Sequence, residues 1–255
     1  MSIDAILSSK GPLLFSCNLA AIAEIRQQLQ LIPDQRRALF FAEKARTDFV
    51  YNTAALEGNP FTYPEIQTLI DGITVGGHKL SDAEQVLNLN QALSYTIVLV
   101  KQGKFRIDAE TACAIQGIVA RNEALTWGMF RDGKVNIGGT DYQPPNASDL
   151  AGIFDAGQKI LNAEPDPILR ALLVFLWGSL NQFFYDGNKP TSRFLANGTL
   201  LTAGYPPLMI FVKDQFTYNQ VMTRFYDTQD ATEALGWLYR YYRDKVTGFG
   251  FDKSA

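Results

Sequence analysis

Apolar residues recur at helical spacing along most of the chain, and this pattern predicts a mainly α fold. The predicted helices begin and end near turn-forming residues, as helices in globular proteins do. In chain order they cover residues 19–31, 34–57, a short stretch after 63–64, 81 to about 100 and 108 to about 121, and they resume near 148, 166, 188, 214 and 230.

The most apolar part of the chain is predicted to be two helices joined by a tight turn. The run 168–184 is apolar nearly all round, which is typical of a buried helix. Asp166 suits its N-cap and Pro167 its first helical position. A second helical run extends to Gly204, a residue type that commonly lies just past a helix end. The tripeptide 186–188 is therefore expected to form the turn that opens the second helix.

Residues 127–145 follow a different pattern, which predicts a small β-hairpin. Val135, Asn136 and Ile137 alternate in polarity, and two glycines follow them. The stretch 135–140 is expected to present an open edge, where unpaired backbone groups align an extended peptide by strand addition. The predicted class is thus mainly α with one small β-hairpin.

The composition of the chain limits the class of protein. With 255 residues and 47% hydrophobic content, it can bury a sizeable core in one domain or two closely packed ones. The net charge of −3, without a strongly basic stretch, does not indicate nucleic-acid binding. Cys17 and Cys113 are not spaced as a disulfide framework or a zinc site. No apolar run is long enough to span a membrane and residues 1–17 lack a secretory pattern, so a cytoplasmic protein is expected.

The turn at 186–188 carries candidate chemistry. The N–H groups that open a helix lack intrahelical partners, and together with the positive end of the helix dipole they favour an anion. Asp186 can hold a divalent cation, and Arg193 lies about one turn into the helix and faces the same ligand. These residues indicate a site for a triphosphate with Mg²⁺. Asp, Gly and Asn are also ordinary turn residues, so the tripeptide alone fits a plain connection between helices.

The segment 182–193 resembles the signature of the Fic (Fido-fold) family, His-x-Phe-x-(Asp/Glu)-Gly-Asn-x-Arg-x-x-Arg. The positions that match are Phe184, Asp186, Gly187, Asn188 and Arg193. Gln182 stands where the family has its catalytic His, and Pro190 where it has the first Arg. The resemblance implies the family's helical fold, with an N-terminal helical region over 1–105 and a Fic core over 106–255.

Three further patterns extend the resemblance over roughly 19–246. The first is similar to the family's flap, the second to the segment after the signature, and the third to the inhibitory helix of class II members, (Ser/Thr)-x-x-x-Glu-(Gly/Asn). The flap pattern in this chain is Gly128-x-Phe130-Arg131, followed by Ile137-Gly138-Gly139 and Pro144-Pro145. The pattern after the signature is Asn197, followed by Gly204-Tyr-Pro-Pro207 and Tyr218. The inhibitory motif is Thr53-x-x-x-Glu57-Gly58.

The resemblance also implies roles for these residues. Asp186 would bind Mg²⁺ and Arg193 the terminal phosphate of ATP, while Glu57 would pair with Arg193 and so keep that phosphate out. Thr53 belongs to the same inhibitory motif. The residues implied to surround the nucleotide are Gly187, Asn188, Lys189, Pro190, Thr191, Arg193 and Tyr218. Those implied to align an unknown protein target are Ile137, Gly138 and Gly139. A solvated helix end is the alternative interpretation of Glu57.

Gln182 decides how much activity to expect. The family's His accepts the proton of a target hydroxyl as that oxygen attacks the α-phosphate of ATP, whereas a glutamine amide does not titrate. Losing a general base lowers the rate by roughly 10²–10⁴. His78, the single histidine, falls in a glycine-rich connection and is expected to be a solvated loop residue.

Three hypotheses stay open at this point. The first is an autoinhibited protein adenylyltransferase, weakly active or inactive, that transfers AMP from ATP to a protein hydroxyl (AMPylation). The second, which Gln182 and Pro190 favour, is a non-catalytic Fic protein that binds a nucleotide or a partner. The third is an unrelated helical adaptor that shares only the turn. The sequence leaves the oligomeric state open, a homodimer included.

Overall fold

The computed structural model describes residues 3–246 and 251, and it confirms the mainly α class. The ends of the two predicted regions, at 1–2, 247–250 and 252–255, lie outside the described residues. None of the helices described is both long and apolar enough to cross a membrane. The α-helices are α1 Ile3–Leu7, α2 Ala23–Gln28, α3 Gln35–Lys44, α4 Arg46–Leu56, α5 Tyr63–Ile70, α6 Leu80–Lys101, α7 Ala109–Val119, α8 Leu150–Ala163, α9 Pro167–Asn181, α10 Asn188–Thr202, α11 Gln215–Thr228 and α12 Thr232–Val246.

The helices α9 and α10 form the centre of the fold. All of α9 from Ile168 to Asn181 is buried except Arg170, as the apolar run predicts. α10 packs against α9 and also contacts α3, α6 and α7. The two helices approach so closely that a Cβ at Gly178 would lie 2.2 Å from Ser192 Oγ. Packing of the core therefore fixes the position of the turn that joins them.

The ends of these two helices follow the signals in the sequence. The Asp166 carboxylate accepts hydrogen bonds from two N–H groups in the first turn of α9, and Pro167 occupies the first helical position. Beyond α10, Gly204 and the residue after it donate their N–H groups to carbonyls of the last helical turn. Both predicted boundaries are confirmed, because capping depends on residues that are close together in the chain.

The helix predicted over 34–57 is divided into α3 and α4. The backbone of Ala45 departs from helical geometry, with φ −86° and ψ 15°. After α4, the N–H groups of Gly58 and Asn59 donate to carbonyls in the last turn of the helix. These bonds fix the chain at the point where Glu57 leaves the helix.

The predicted β-hairpin is wrong, because residues 127–145, all of them described, form no paired strands. Alternating polarity predicts only that one face of a segment is buried. A hydrogen-bonded pair of strands also needs a second strand with N–H donors. Two prolines, which have no N–H group, end this segment. The side chain of Arg131 holds the segment together instead, since it donates to Gly133 O at 2.7 Å and to Pro145 O at 2.6 Å. We call residues 131–145 the flap.

Candidate functional site

Gln182 ends α9 in a left-handed backbone conformation, with φ 48° and ψ 60°. Such a conformation is uncommon for residues other than glycine, and it turns the chain out of the helix. The side-chain Nε2 donates to Ser179 O at 2.7 Å. The backbone carbonyl of Gln182 accepts a hydrogen bond from Arg131 Nε at 2.6 Å. Gln182 is therefore held both by its own helix and by the flap.

Gly187 and Asn188 fix the turn that opens α10. The Asn188 side chain accepts the N–H of Phe184 at 2.9 Å and donates to the carbonyl of the same residue at 2.8 Å. Gly187, the N-cap, has φ 72°, and a Cβ there would lie 3.1 Å from a side-chain atom of Val119 and 3.2 Å from one of Ala120. Glycine is required at this position for both its conformation and its size.

Asp186 is exposed in the same turn. Its Oδ1 accepts the N–H of Gly187 at 2.7 Å, which occupies one of the predicted anion-binding donors. In the part of the chain that the structure describes, no group of three or more His, Cys, Asp or Glu side chains is arranged to hold a metal ion. Mg²⁺ at Asp186 would therefore take its other oxygens from phosphate and water, as Mg²⁺ sites commonly do.

The first turn of α10 offers fewer N–H donors than a helix start usually does. Asn188 and Lys189 lie in this turn, where N–H groups have no intrahelical carbonyl to bond. Pro190 is buried and has no N–H. Thr191 donates its N–H to Gly187 O at 2.9 Å. An anion at this turn would meet two backbone donors and the partly exposed Lys189 side chain.

Arg193 is the most deeply buried charge of the site, with 1% of its surface exposed. Within residues 3–246 and 251, none of its guanidinium nitrogens forms a hydrogen bond of good geometry, although the Tyr218 phenol oxygen is close enough for a weak one. Its Nη2 lies 4.0 Å from Glu57 Oε1, which is longer than the roughly 2.7–2.9 Å of a charge-assisted hydrogen bond. A neutral buried group without a partner already costs about 1–3 kcal/mol, and a charged one costs more. The guanidinium is therefore suited to bind an anion.

Glu57 and its neighbours complete the surroundings of Arg193. The Glu57 side chain is 24% exposed at the end of α4, and Thr53, one turn earlier, is buried. Tyr218 reaches both charges from α11. Burial raises the pKa of Tyr218 to about 12, the Arg193 charge opposes this shift, and the Glu57 charge adds to it. The structure thus brings Glu57, Arg193 and Tyr218 together from three different helices.

A cleft of about 290 Å³ lies between the flap and the turn. Glu57, Gln182, residues 136–138 of the flap and residues 185–190 line it. Predicted site residues that are buried and do not line it are Thr53, Thr191, Arg193 and Tyr218. Gly139 is exposed beyond the lining. A larger cavity of about 600 Å³ lies beside α1, but no predicted site residue lines it. The smaller cleft is the candidate functional site, because most of the predicted site residues meet there.

The role of Arg131 does not follow from the sequence, in which this residue is only one position of the flap pattern. This side chain is 3% exposed and donates to three backbone carbonyls, two of the flap and that of Gln182. Its own backbone N–H donates to Phe183 O at 3.0 Å. Burial lowers the pKa of Arg131, whereas the neighbouring tyrosines oppose that shift. No local pattern marks an arginine that bonds to carbonyls so far apart in the chain.

Glu123 is a second residue near the site that no sequence pattern marks. It follows α7 and lines a small cavity together with Glu57, Asp186 and Pro190. Burial raises the pKa of Glu123, the charges of Asp186 and Glu57 raise it further, and a hydrogen bond from Gln85 opposes these effects. The surroundings of Asp186 are therefore more acidic than the signature alone indicates.

Asn197 and His78 have structural roles. The Asn197 side chain donates to the Leu208 carbonyl at 3.1 Å and accepts its N–H at 2.7 Å, so it fixes the link after α10. The expectation of a solvated His78 is wrong, because its ring stacks on Phe61 and its Nε2 lies 3.0 Å from Glu65 Oε1. The hydrogen bond with His78 is the main cause that lowers the pKa of Glu65 to about 2.

Comparisons with known proteins agree with this fold. No family model matches the chain. The protein adenylyltransferase Fic of Drosophila ananassae is 28% identical over 199 residues, which cover 75% of this chain and 39% of that protein. Fic-1 (residues 134–508) of C. elegans has a similar fold, with a TM-score of 0.73 at 19% identity, over 91% of this chain and 70% of that chain. A Fic domain containing signaling protein from Bacteroides thetaiotaomicron matches with a TM-score of 0.70 at 19% identity, over 90% and 93%.

Proposed function

We propose that this chain, which resembles Fic proteins in sequence and fold, is an autoinhibited Fic-family member of class II type that binds ATP and transfers AMP weakly or not at all. The observation that supports this proposal best is the buried guanidinium of Arg193, with Glu57 between it and the cleft as its charged neighbour. The relatives are named for adenylyl transfer, and the chain spans 39% of the length of the first of them. Because the chain covers less than half of that relative, AMP transfer by this chain is part of the proposal.

In this reaction, the oxygen of a target Ser, Thr or Tyr attacks the α-phosphorus of ATP. The bond from that phosphorus to pyrophosphate breaks, and a base takes the hydroxyl proton. In our proposal Arg193 and the start of α10 hold the phosphates, and Gln182 faces the reacting atoms across the cleft. Mg²⁺ at Asp186 would neutralise phosphate charge when bound. The Gln182 amide accepts hydrogen bonds but takes up no proton, so the proton has no local acceptor of the family type.

The second candidate function is a non-catalytic Fic protein whose nucleotide-bound state serves a partner. Gln182 and Pro190 favour it, since the first removes the base and the second removes both a backbone donor and a guanidinium from the anion site. Both candidate functions require nucleotide binding, but only the first includes transfer of AMP to a protein. Titration with ATP, with and without Mg²⁺, alongside a labelled-AMP transfer assay separates them.

Replacing Asp186 tests its proposed metal role. Asp186→Ala is expected to remove the gain in ATP affinity that Mg²⁺ provides, roughly tenfold for one charged ligand, and to leave the fold intact. Asp186→Asn is the matched control, because its amide oxygen still accepts the N–H of Gly187 but carries no charge. Calorimetry with and without Mg²⁺, together with melting temperatures, checks both variants. If Asp186→Asn keeps the Mg²⁺ effect and Asp186→Ala unfolds, the carboxylate serves only the turn.

The flap is proposed to align a protein target along its backbone. The backbone groups of residues 134–139 make no hydrogen bond within the described chain, and Asn136 is exposed while Ile137 is buried. Asn136→Pro removes one N–H donor and is expected to weaken binding to extended Ser-, Thr- or Tyr-containing peptides on an array, by roughly three- to tenfold. Asn136→Ala keeps that N–H and should bind like wild type. Equal binding by both variants would argue against strand addition, and ATP affinity should not change in either.

A further inference from the structure

The cavity of about 600 Å³ beside α1 shares no lining residue with the cleft. It is bounded by α1, by α2, by the end of α8 and by the link between α8 and α9. Much of its wall is apolar and consists of Ile3, Ile6, Ile160, Ala163 and Pro165. Sites for small molecules have volumes of roughly 300–1,000 Å³ and combine apolar walls with a few polar groups. This cavity therefore has the size and the lining of a ligand site.

Glu164 is the exceptional polar residue of this wall. It lines the cavity but is only 4% exposed. Its Oε1 accepts the N–H of Asp166 at 2.8 Å, whereas its Oε2 has no hydrogen-bond partner within residues 3–246 and 251. Burial is the main cause that raises the pKa of Glu164, and the charge of Asp166 adds to it. The N–H of Asp166 and the charges of Arg26 and Arg170 oppose this shift. The fold thus holds a buried carboxylate oxygen that no internal donor satisfies, which is costly.

The cations that line the cavity are paired with other acids. Arg26 Nη2 lies 3.2 Å from Asp166 Oδ2, and Lys159 Nζ lies 2.7 Å from Asp155 Oδ2 on the same helix. The two acids that line the cavity form no ion pair with any residue that the structure describes. The charge that the cavity can offer to a ligand is therefore negative.

We propose that this cavity binds a small organic amine, with its ammonium group on Glu164 and its apolar body against the isoleucines of α1 and α8. An ammonium group supplies the positive charge and the N–H donors that the unpartnered carboxylate oxygen lacks. Because Oε2 is buried, the carboxylate meets the ligand by turning about its terminal torsion, which is broad in glutamate. This inference goes beyond the proposed function and does not depend on nucleotide binding.

The test is calorimetry, without nucleotide, on three probes that share one apolar body: hexylamine, hexanol and hexanoate. Wild type is expected to bind hexylamine roughly tenfold more tightly than hexanol, because only the amine pairs with a carboxylate. Hexanoate should bind most weakly, since its charge has the same sign as that of Glu164. Glu164→Gln should lower hexylamine affinity roughly tenfold and leave hexanol affinity unchanged.

Two variants serve as controls for this loss. Glu24→Gln removes the charge of an exposed acid on α2 that does not line the cavity, so hexylamine affinity should stay at the wild-type value. Ala163→Leu places a larger apolar side chain in the wall at an exposed position, and it should weaken hexylamine and hexanol binding alike.

Melting temperatures without ligand show whether Glu164 serves the fold instead. A pKa that folding raises means that the folded state disfavours the charged form. Near neutral pH, Glu164→Gln should therefore melt at or above the temperature of wild type, and its amide oxygen can still accept the N–H of Asp166.

The outcomes decide the amine site separately from the proposed function. Hexylamine affinity that exceeds hexanol affinity in wild type and falls to it in Glu164→Gln supports the site. Absence of hexylamine binding at millimolar concentration, equal affinities for hexylamine and hexanol, or an equal loss in Glu24→Gln overturns it. A lower melting temperature of Glu164→Gln with unchanged hexylamine affinity also overturns it, because the carboxylate would then serve only the fold. ATP affinity enters none of these outcomes.

Discussion

Restoring a histidine at residue 182 and an arginine at residue 190, in a chain that also carries Glu57→Gly, is expected to raise AMP transfer onto the chain itself well above wild type. Gln182→His alone should contribute roughly 10²–10⁴, the range of general-base assistance, provided that phosphate binding survives Pro190. The backbone accepts this change, because histidine is among the residue types that tolerate the left-handed conformation found at residue 182. Transfer of labelled AMP, followed over time, measures the gain.

The structure also indicates how an imidazole at residue 182 would be oriented. Ser179 O now accepts a hydrogen bond from the Gln182 side chain. An imidazole N–H that takes over this bond leaves the other ring nitrogen unprotonated and able to act as a base. Gln182→Asn is the control, since asparagine tolerates the same backbone but does not titrate. Equal gains for His and Asn, or robust transfer by wild type, would contradict the proposed role. Failure of the triple variant to transfer AMP, despite proven ATP–Mg²⁺ binding, would mean that the divergence extends beyond the signature.

Removing the Glu57 carboxylate is expected to have the second largest effect. Glu57→Gly should raise ATP affinity roughly 10- to 100-fold, the value of a charge-assisted hydrogen bond that a phosphate forms once the competing carboxylate is gone. Under the proposed function, the Glu57 carboxylate and the terminal phosphate would compete for one guanidinium, and the carboxylate already lies 4.0 Å from it.

Calorimetry on wild type, Glu57→Gly and Glu57→Gln checks this expectation. Glu57→Gln keeps most of the side-chain volume but loses the charge, so its ATP affinity should lie between the other two. Melting temperatures of both variants should fall below that of wild type when no ligand is present, because each change removes the opposite charge that lies 4.0 Å from the buried Arg193 guanidinium. Identical ATP affinities in all three proteins would refute the inhibitory assignment.

The sequence predicts those parts of the fold that depend on residues close together in the chain. Asp166, Pro167 and Gly204 mark their helix ends correctly, because caps are local structures. The β-hairpin prediction is wrong for the opposite reason. A strand needs a second strand to pair with, and alternating polarity within one segment does not show that such a strand is present. The pairing of Glu57 with Arg193 was predicted only through the family resemblance.

Other parts of the site have no local signal at all. Arg131 bonds to three carbonyls, and its importance depends on the burial of a charge that is usually exposed. Functional groups in the interior of a helical bundle are therefore harder to predict from sequence than the helices that carry them.

The contacts of Arg131 also bear on how the target-facing surface can change during evolution. Because one buried guanidinium holds both ends of the flap, the closure of this loop does not depend on pairing between its two halves. The entropy of closing a flexible loop grows slowly with length, by about 0.6 kcal/mol for each doubling. Insertions at exposed positions between residues 134 and 143 should therefore cost little, whereas Ile137 is buried in the core and Thr140 bonds to Asp227. Under the proposed function, the loop that faces the target can therefore vary in length while Arg131 keeps its two ends in place.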